Sequence, residues 1–501
     1  MKLDFIPLPS FHIPTSLNPL RTFALANAVF LLILTVWLLL SRKRHVARLG
    51  GLTWKRNQFC RGWLITGDTG SGKTSSGINQ LAHQVFQNEP KWGGLCIDEK
   101  GVYWETLSAM ARHYGRENDL IHLQIRTDDK NEQWQPPHRF NLTGDLSIPF
   151  TTYAKFVVDT ATSLGQSGDK GFFKSQAQTH IAYALELLAA LGLPVTLAGA
   201  LDLLVNKGRL DEELENLRML DLQTPRRRVL HDHFMHRFLE QPAEQLGGVR
   251  ETIGNYLQFY LASEVTEIFC ADESTFEFSA IDEGKIILVT MPQKFQTERR
   301  YVNTFLKLLF YNHALRRFDQ AKSQRGKNNL LILWADEAQR FMTASEDGTS
   351  DYNCVDVIRE AGATIIAAAQ STTSLIPPLG QDKSKVLTLN LRNRMIFRSA
   401  DEADAVQAAD FLGKKRVFKR SWGSSAGKRN VNYSETEEHK IRPYQLRKLR
   451  DHQCVLVHFE RGFRKTVLPP LDPDGKIANW FPYWRRLFQH FGAKMSKEDS
   501  K

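Results

Sequence analysis

Residues 67–74 read Gly67-Asp68-Thr69-Gly70-Ser71-Gly72-Lys73-Thr74 and fit the pattern G-x-x-x-x-G-K-[ST]. No other feature of the chain restricts its fold as tightly. Glycines let the backbone turn sharply enough for its N–H groups to point at a phosphate; Lys73 then reaches the β/γ oxygens, and the Thr74 hydroxyl takes a Mg²⁺ position. The flanks fit this role. Trp63-Leu-Ile-Thr66 reads as a short buried strand, and Ile78, Leu81, Val85 and Phe86 recur afterwards at helical spacing. Strand, glycine loop and helix N-terminus together make an anion site. All eight loop residues are therefore expected to bind a nucleoside triphosphate.

A chain of 501 residues with 42% hydrophobic content can bury two or three cores. Its formal charge of +11 suits polyanionic partners such as nucleic acid or anionic lipid. The five cysteines (Cys60, Cys96, Cys270, Cys354, Cys454) are scattered without a CxxC pair, which argues for a reducing compartment and against a disulfide framework or a cysteine zinc site.

From Thr22 to Leu40 the chain runs 19 residues without a charge. That is long enough to span a hydrocarbon core of about 30 Å as a helix. Arg42, Lys43, Arg44 and Arg48 follow, against only Lys2 and Arg21 before, so the positive-inside rule puts the bulk of the chain in the cytoplasm. A cleaved signal peptide would carry its basic cluster first; here the order is reversed. The basic residues after the span suit anionic lipid. The expectation is a single pass through a membrane. A second apolar region, Ile181 to Leu204, is interrupted by Glu186, Gly192, Pro194 and Asp202 and reads as a pair of buried helices.

Further on, strands alternate with helices as in a parallel sheet covered on both faces. The strand expectations are Gly94–Asp98, Lys285–Thr290, Leu330–Ala335, Ala363–Ala369, Arg394–Arg398 and, as the last core strand, Cys454–Val457. A helix from about Asp401 should stop at Gly413, and Ser421–Glu438 reads as a solvated loop or hairpin. Between about 170 and 275 the pattern becomes mainly helical.

Asp336-Glu337 ends one of these apolar strands. A carboxylate there faces the phosphate loop and can hold Mg²⁺, and its neighbour is placed to orient and deprotonate the attacking water. An exposed acidic turn would look the same in isolation; the loop upstream decides between them. A GTPase is disfavoured, because no N-K-x-D base-reading motif is present and Asn206-Lys-Gly-Arg209 lacks the acid. The long separation of Lys73 from Asp336 disfavours a small kinase, and nothing resembles the ABC transporter signature. A motor remains.

Over roughly residues 60–470 the chain resembles the type IV coupling proteins, the TraG/TraD-like ATPases of bacterial conjugation. Ile97-Asp-Glu-Lys-Gly101 is similar to the family's D-P-K-G-E, with Glu99 for the proline and Val102 for the final acid. Arg139-Phe-Asn-Leu142 resembles its F-N-P-L, again without proline, and Phe172–Ala177 the start of its helical segment. Trp334-Ala-Asp-Glu337 and Ala368-Ala-Gln-Ser371 match its acidic and glutamine-bearing strand ends. Arg394–Ser399, Leu412-Gly413 and Pro443-Tyr-Gln-Leu446 follow in the family's order.

The resemblance implies a RecA-like α/β ATPase domain with a parallel sheet, an inserted all-α domain and assembly as a homo-hexamer at a type IV secretion channel. It implies a relaxase–DNA substrate, with single-stranded DNA pumped outward. It also implies that Gln370 senses the γ-phosphate and that Arg359 is an arginine finger completing the neighbouring subunit's site. The family commonly has two membrane helices, whereas this chain shows one.

The implied division is an extracytoplasmic tail (1–21), the membrane helix (22–40) and a basic segment (41–60). The nucleotide-binding domain follows in two parts (61–170 and 276–470) around the insertion (171–275). A tail with an amphipathic helix ends the chain (471–501). Arg226, Arg227 and Arg228, and Lys414, Lys415 and Arg416 with Lys419 and Arg420, are candidate DNA contacts, although a solvated charged face is the ordinary meaning of such runs. His231, His233 and His236 lack the acidic or cysteine company of a metal site. Two other functions stay open: a nucleotide-switched receptor for secreted protein cargo, and an FtsK/HerA-like DNA translocase in another membrane process.

Overall fold

The computed structural model describes residues 29–31, 45–126, 133–165, 171–220, 224–345, 348–425 and 428–481. It falls into two units, 1–45 and 46–501. In the first, residues 29–31 are helical, and the rest of the expected membrane span lies outside the described residues, as does the expected C-terminal helix beyond Phe481. Among the described residues no helix is long and apolar enough to cross a membrane.

The second unit begins with a small hairpin, β1 (Ala47–Leu49) and β2 (Leu52–Trp54). Its strands continue in chain order as β3 (Trp63–Thr66), β4 (Gly93–Asp98), β5 (Leu120–Gln124), β6 (Ile286–Thr290), β7 (Leu331–Asp336), β8 (Ala363–Ala369) and β9 (Asn393–Ile396). A long ribbon of β10 (Lys414–Ser425) and β11 (Lys428–His439) precedes β12 (Gln453–His458) and β13 (Gly462–Val467). Nine of these form one sheet in the order β13-β12-β9-β3-β8-β7-β4-β6-β5. From β9 to β5 every pairing is parallel, while β12 runs antiparallel to β9 and to β13.

Parallel strands covered on both faces must be apolar at every position. Strands β3, β6, β7 and β8 are buried throughout. Their alternate residues divide between two cores: Leu331, Leu333 and Ala335 enter one, and Ile332 and Trp334 the other. Two differences from expectation have simple causes. The edge strand β5 alternates buried with half-buried positions, so it lacks the continuous apolar run that marks its neighbours. After β12 the sheet does not end, because β13 adds a polar outer strand whose Arg464 and Lys465 conceal it in the sequence.

Between Gly171 and Phe269 every described element is a helix. The apolar stretch 181–204 divides into Gly171–Ala190 and Leu197–Val205, broken at Gly192 (φ +71°). The second helix starts where Thr196 Oγ1 accepts from the Gly199 N–H at 2.9 Å, a cap worth about 1 kcal/mol. Leu185, Leu203, Phe234 and Ile253 join the core on one sheet face, each adding roughly 1.5–3 kcal/mol by burial. After the helix Glu402–Leu412, capped by Asp401 and ended by Gly413 (φ +86°), the chain enters the β10–β11 ribbon. The loop or hairpin expected at 421–438 is thus a hairpin, and it begins earlier, at Lys414.

Candidate functional site: a phosphate loop facing an acidic strand end

The loop leaves β3 between the ends of its two neighbours. The Gly67 N–H donates to Gln370 O (3.2 Å) beyond β8, and the Asp68 N–H to Arg398 O (2.8 Å) beyond β9. A Cβ on Gly67 would stand 2.6 Å from Phe397 Cβ, and Gly72 (φ +102°) lies as close to the His452 ring, so only glycine serves at either position. Arg398 Nε holds Asp68 Oδ2 at 2.8 Å, and Ser71 Oγ donates to Asp68 O at 2.8 Å. Lys73 Nζ donates to the carbonyls of Gly67 (2.7 Å) and Asp68 (3.0 Å), folding back over the loop. Burial lowers the Lys73 pKa while Glu337 and Asp336 oppose that shift.

Across the cleft, β7 brings Asp336 beside Asp98 of β4 in register. Asp336 Oδ2 accepts from Thr74 Oγ1 at 3.1 Å, and Oδ1 from the Glu337 N–H at 3.0 Å. Burial, with Asp98 and Glu337 close by, pushes the Asp336 pKa up to about 6. Glu337 adopts φ +52°, a left-handed conformation that a non-glycine residue holds at a cost of about 1 kcal/mol or more. Its Oε2 accepts from Gln339 Nε2 (2.7 Å) and Gln370 Nε2 (3.4 Å), and Lys100 Nζ lies 3.7 Å from Oε1.

These groups open on a cleft of about 440 Å³, lined by Thr69, Gly70, Lys73, Thr74, Glu337 and, from outside the expected set, Lys100, Asp451, His452 and Trp480. His452 holds the loop from behind: its N–H donates to Ser71 O (2.9 Å) and its Nδ1 lies 2.7 Å from Ser76 Oγ. His452 carries no signal in the sequence, and Trp480, one of the aromatics near 480–484 that read as base-stacking candidates or part of an amphipathic C-terminal helix, lines the nucleotide cleft instead. Lys100, by contrast, sits inside Ile97–Gly101, a motif read without a role for it. The donor set fits magnesium: a hydroxyl and a carboxylate already in contact, beside an acid whose raised pKa a cation would reverse.

Arg359 is not in this cleft. It lies in the turn Ile358–Ala361 before β8, at the opposite end of the sheet, 3.7 Å from Glu360. Arg226 is bound bidentately by Glu186, Arg227 Nη1 donates to Leu220 O (2.6 Å), and Arg228 is exposed. Lys414, Lys415 and Arg416 lie exposed on β10, with Lys414 4.0 Å from Asp410 and Arg416 3.3 Å from Glu435. Of the three histidines, His233 is buried, 3.0 Å from His180 and stacked on Tyr183. His236 pairs with Glu240.

No curated protein sequence matches this chain. The fold is similar to the bacterial conjugative coupling protein TrwBdeltaN70 in its unbound monoclinic form, with TM-score 0.63 and 15% identity over 88% of this chain and 90% of that one. It is also similar to the plasmid coupling protein TrwB in complex with the GTP analogue GDPNP (TM-score 0.61, 16% identity, 87% and 91% covered). TrwB in complex with ADP and Mg²⁺ gives TM-score 0.62 at 15% identity, with 87% and 91% covered. The family model for the type IV secretion-system coupling protein DNA-binding domain matches residues 46–467. The chain therefore belongs to the family of type IV secretion-system coupling proteins.

Proposed function

We propose that this coupling protein is an ATPase that drives DNA into a type IV secretion channel. The observation that carries this reading is the convergence of Lys73, Thr74, Asp336, Glu337 and Gln370 on one cleft within the family's fold. In support, similar solved structures hold ADP with Mg²⁺ and nucleotide analogues.

ATP lies in the loop 67–74, with loop amides and Lys73 on its phosphates. Thr74 and Asp336 would hold a magnesium ion, which would supply positive charge against the phosphates. Glu337 orients a water and takes its proton as the water oxygen attacks the γ-phosphorus and the bond to the β–γ bridging oxygen breaks. Lys100 and Gln370 fix the Glu337 carboxylate, and Gln370 responds to the presence of the γ-phosphate. Trp480 and His452 line the cleft with aromatic rings. Arg359 acts on the neighbouring subunit's nucleotide, so hydrolysis is tied to closure between subunits.

The working form is a homo-hexamer anchored in the inner membrane by residues 22–40, with residues 1–21 on the outer side, the bulk of the chain cytoplasmic and the segment 171–275 acting as an inserted helical domain. Its partners are a relaxase bound to single-stranded DNA and the channel proteins. The basic sets Arg226–Arg228 and Lys414–Arg416 are its candidate DNA contacts. ATP turnover by the full chain in detergent, with and without single-stranded and duplex DNA and with Lys73→Ala as the blank, tests this. Strong stimulation by DNA is expected; turnover indifferent to DNA would favour a receptor for protein cargo.

A further inference from the structure

Lys307 and Asp351 form an ion pair in which both side chains are wholly buried. Lys307 belongs to the helix Gln296–Arg316, and Tyr311, one turn on, gives its hydroxyl to Asp351 Oδ1 at 2.5 Å. Burial lowers the Lys307 pKa, and the Asp351 carboxylate opposes that shift. A buried pair is a weak source of stability, because the cost of taking two charges out of water offsets their attraction. What this pair supplies is position.

The stretch it positions is the one that follows Glu337. The Arg340 N–H donates to Glu337 O at 3.0 Å and the Phe341 N–H to Ala338 O at 3.1 Å, closing a tight turn. Lys307 Nζ donates to Phe341 O, and the Thr343 N–H and hydroxyl donate to Asp351 Oδ2 at 2.7 and 3.0 Å. Ala338, Phe341 and Met342 are buried. The turn is therefore anchored at its start by the Glu337 N–H on Asp336 Oδ1 and at its end by the ion pair. Glu337 depends on both anchors, because its backbone stands at φ +52°, where a non-glycine residue relaxes unless its surroundings fix it.

We propose that Lys307 and Asp351 are positioning residues that lock the turn from Glu337 to Thr343, so that the Glu337 carboxylate meets the attacking water. This rests on the reading of Glu337 as the group that takes the water's proton. Neither residue touches the nucleotide cleft, so their effect passes through the backbone of the turn. A small displacement of Glu337 then slows the chemical step and leaves the phosphate loop free to bind nucleotide as before.

Removing Lys307 alone would strand the Asp351 charge in the core, so the test changes both partners together. Lys307→Met with Asp351→Asn removes both charges, leaves an amide oxygen for the Thr343 N–H and loses the donor to Phe341 O. Lys307→Gln with Asp351→Asn puts a neutral donor back. Full-length chains in detergent are compared for kcat and KM for ATP, binding of a fluorescent ATP analogue and the thermal melt, with Lys73→Ala as the blank. The Met pair should lower kcat about tenfold to a hundredfold, with KM, analogue binding and melt close to wild type. The Gln pair should recover most of that loss. Wild-type kcat in the Met pair would overturn the lock, as would equal losses of kcat and melt in both pairs, which would mark the ion pair as structural only. Wild-type turnover no higher than the blank would instead defeat the reading of the cleft, and the lock with it.

Discussion

The nucleotide cleft and the helices between Gly171 and Phe269 are built by opposite rules. In the cleft, glycines hold positive φ, Glu337 sits in a left-handed conformation, and Asp98, Asp336 and Glu337 crowd near one another. Among the helices, apolar side chains fill the core, caps are made, and His180 and His233 are buried 3.0 Å apart as neutral rings. Strain and like charge persist in the first region because ligands relieve them; the second has no such relief and is arranged for stability. Changes in the cleft should therefore cost activity and spare the fold. Changes among the helices should do the reverse.

The sharpest break would come at Glu337. Glu337→Gln removes the proton acceptor and should lower kcat about a thousandfold with no fall in melting temperature. A mutant that melts early and still turns over would invert the comparison. Next in size, Phe234→Ala leaves a cavity in the helical core and should cost about 3–5 kcal/mol in denaturant unfolding, with KM for ATP unchanged in the protein that remains folded.

Acid should find the same weakness. Burial holds His180 down to about 3, with His233 adding to the shift, and holds His233 down to about 4. The unfolded chain protonates first as pH falls through 6.5, so the stability contributed by these neutral rings is whole above 6.5 and is lost between 6.5 and about 4 for His233 and about 3 for His180. At pH 5 the two rings together should account for a loss on the order of 3 kcal/mol, measured by thermal melts across that range and roughly halved in His180→Phe, which leaves His233 in place. Smallest in stability terms is Asp336→Asn, which removes one charge from the acidic cluster. It should raise unfolding free energy by about 1 kcal/mol while abolishing turnover.

The same contrast governs what could be read from sequence. The phosphate loop, the buried strands and Asp336-Glu337 are local patterns, because a glycine turn or an apolar run declares itself within a few residues. Gln370 was reached through family resemblance and does lie 3.4 Å from Glu337. The places of His452 and Trp480 at the cleft were not legible, since both reach it from the far end of the chain. The edge strands β5 and β13 escaped because β5 buries only alternate residues, which halves its apolar signal, and β13 buries none. Helicity between 171 and 269 was legible as pattern, but the His180–His233 contact depends on packing between helices far apart in the chain.

Movement is the central claim, and it can be watched directly. Single-stranded DNA carrying streptavidin on a biotin at one end would be incubated with the full chain and ATP, and release of the streptavidin followed. Release that needs ATP, occurs from one end only and disappears in Glu337→Gln is the predicted result. DNA-stimulated ATP turnover without any release would contradict it, and would leave a nucleotide switch in place of a motor.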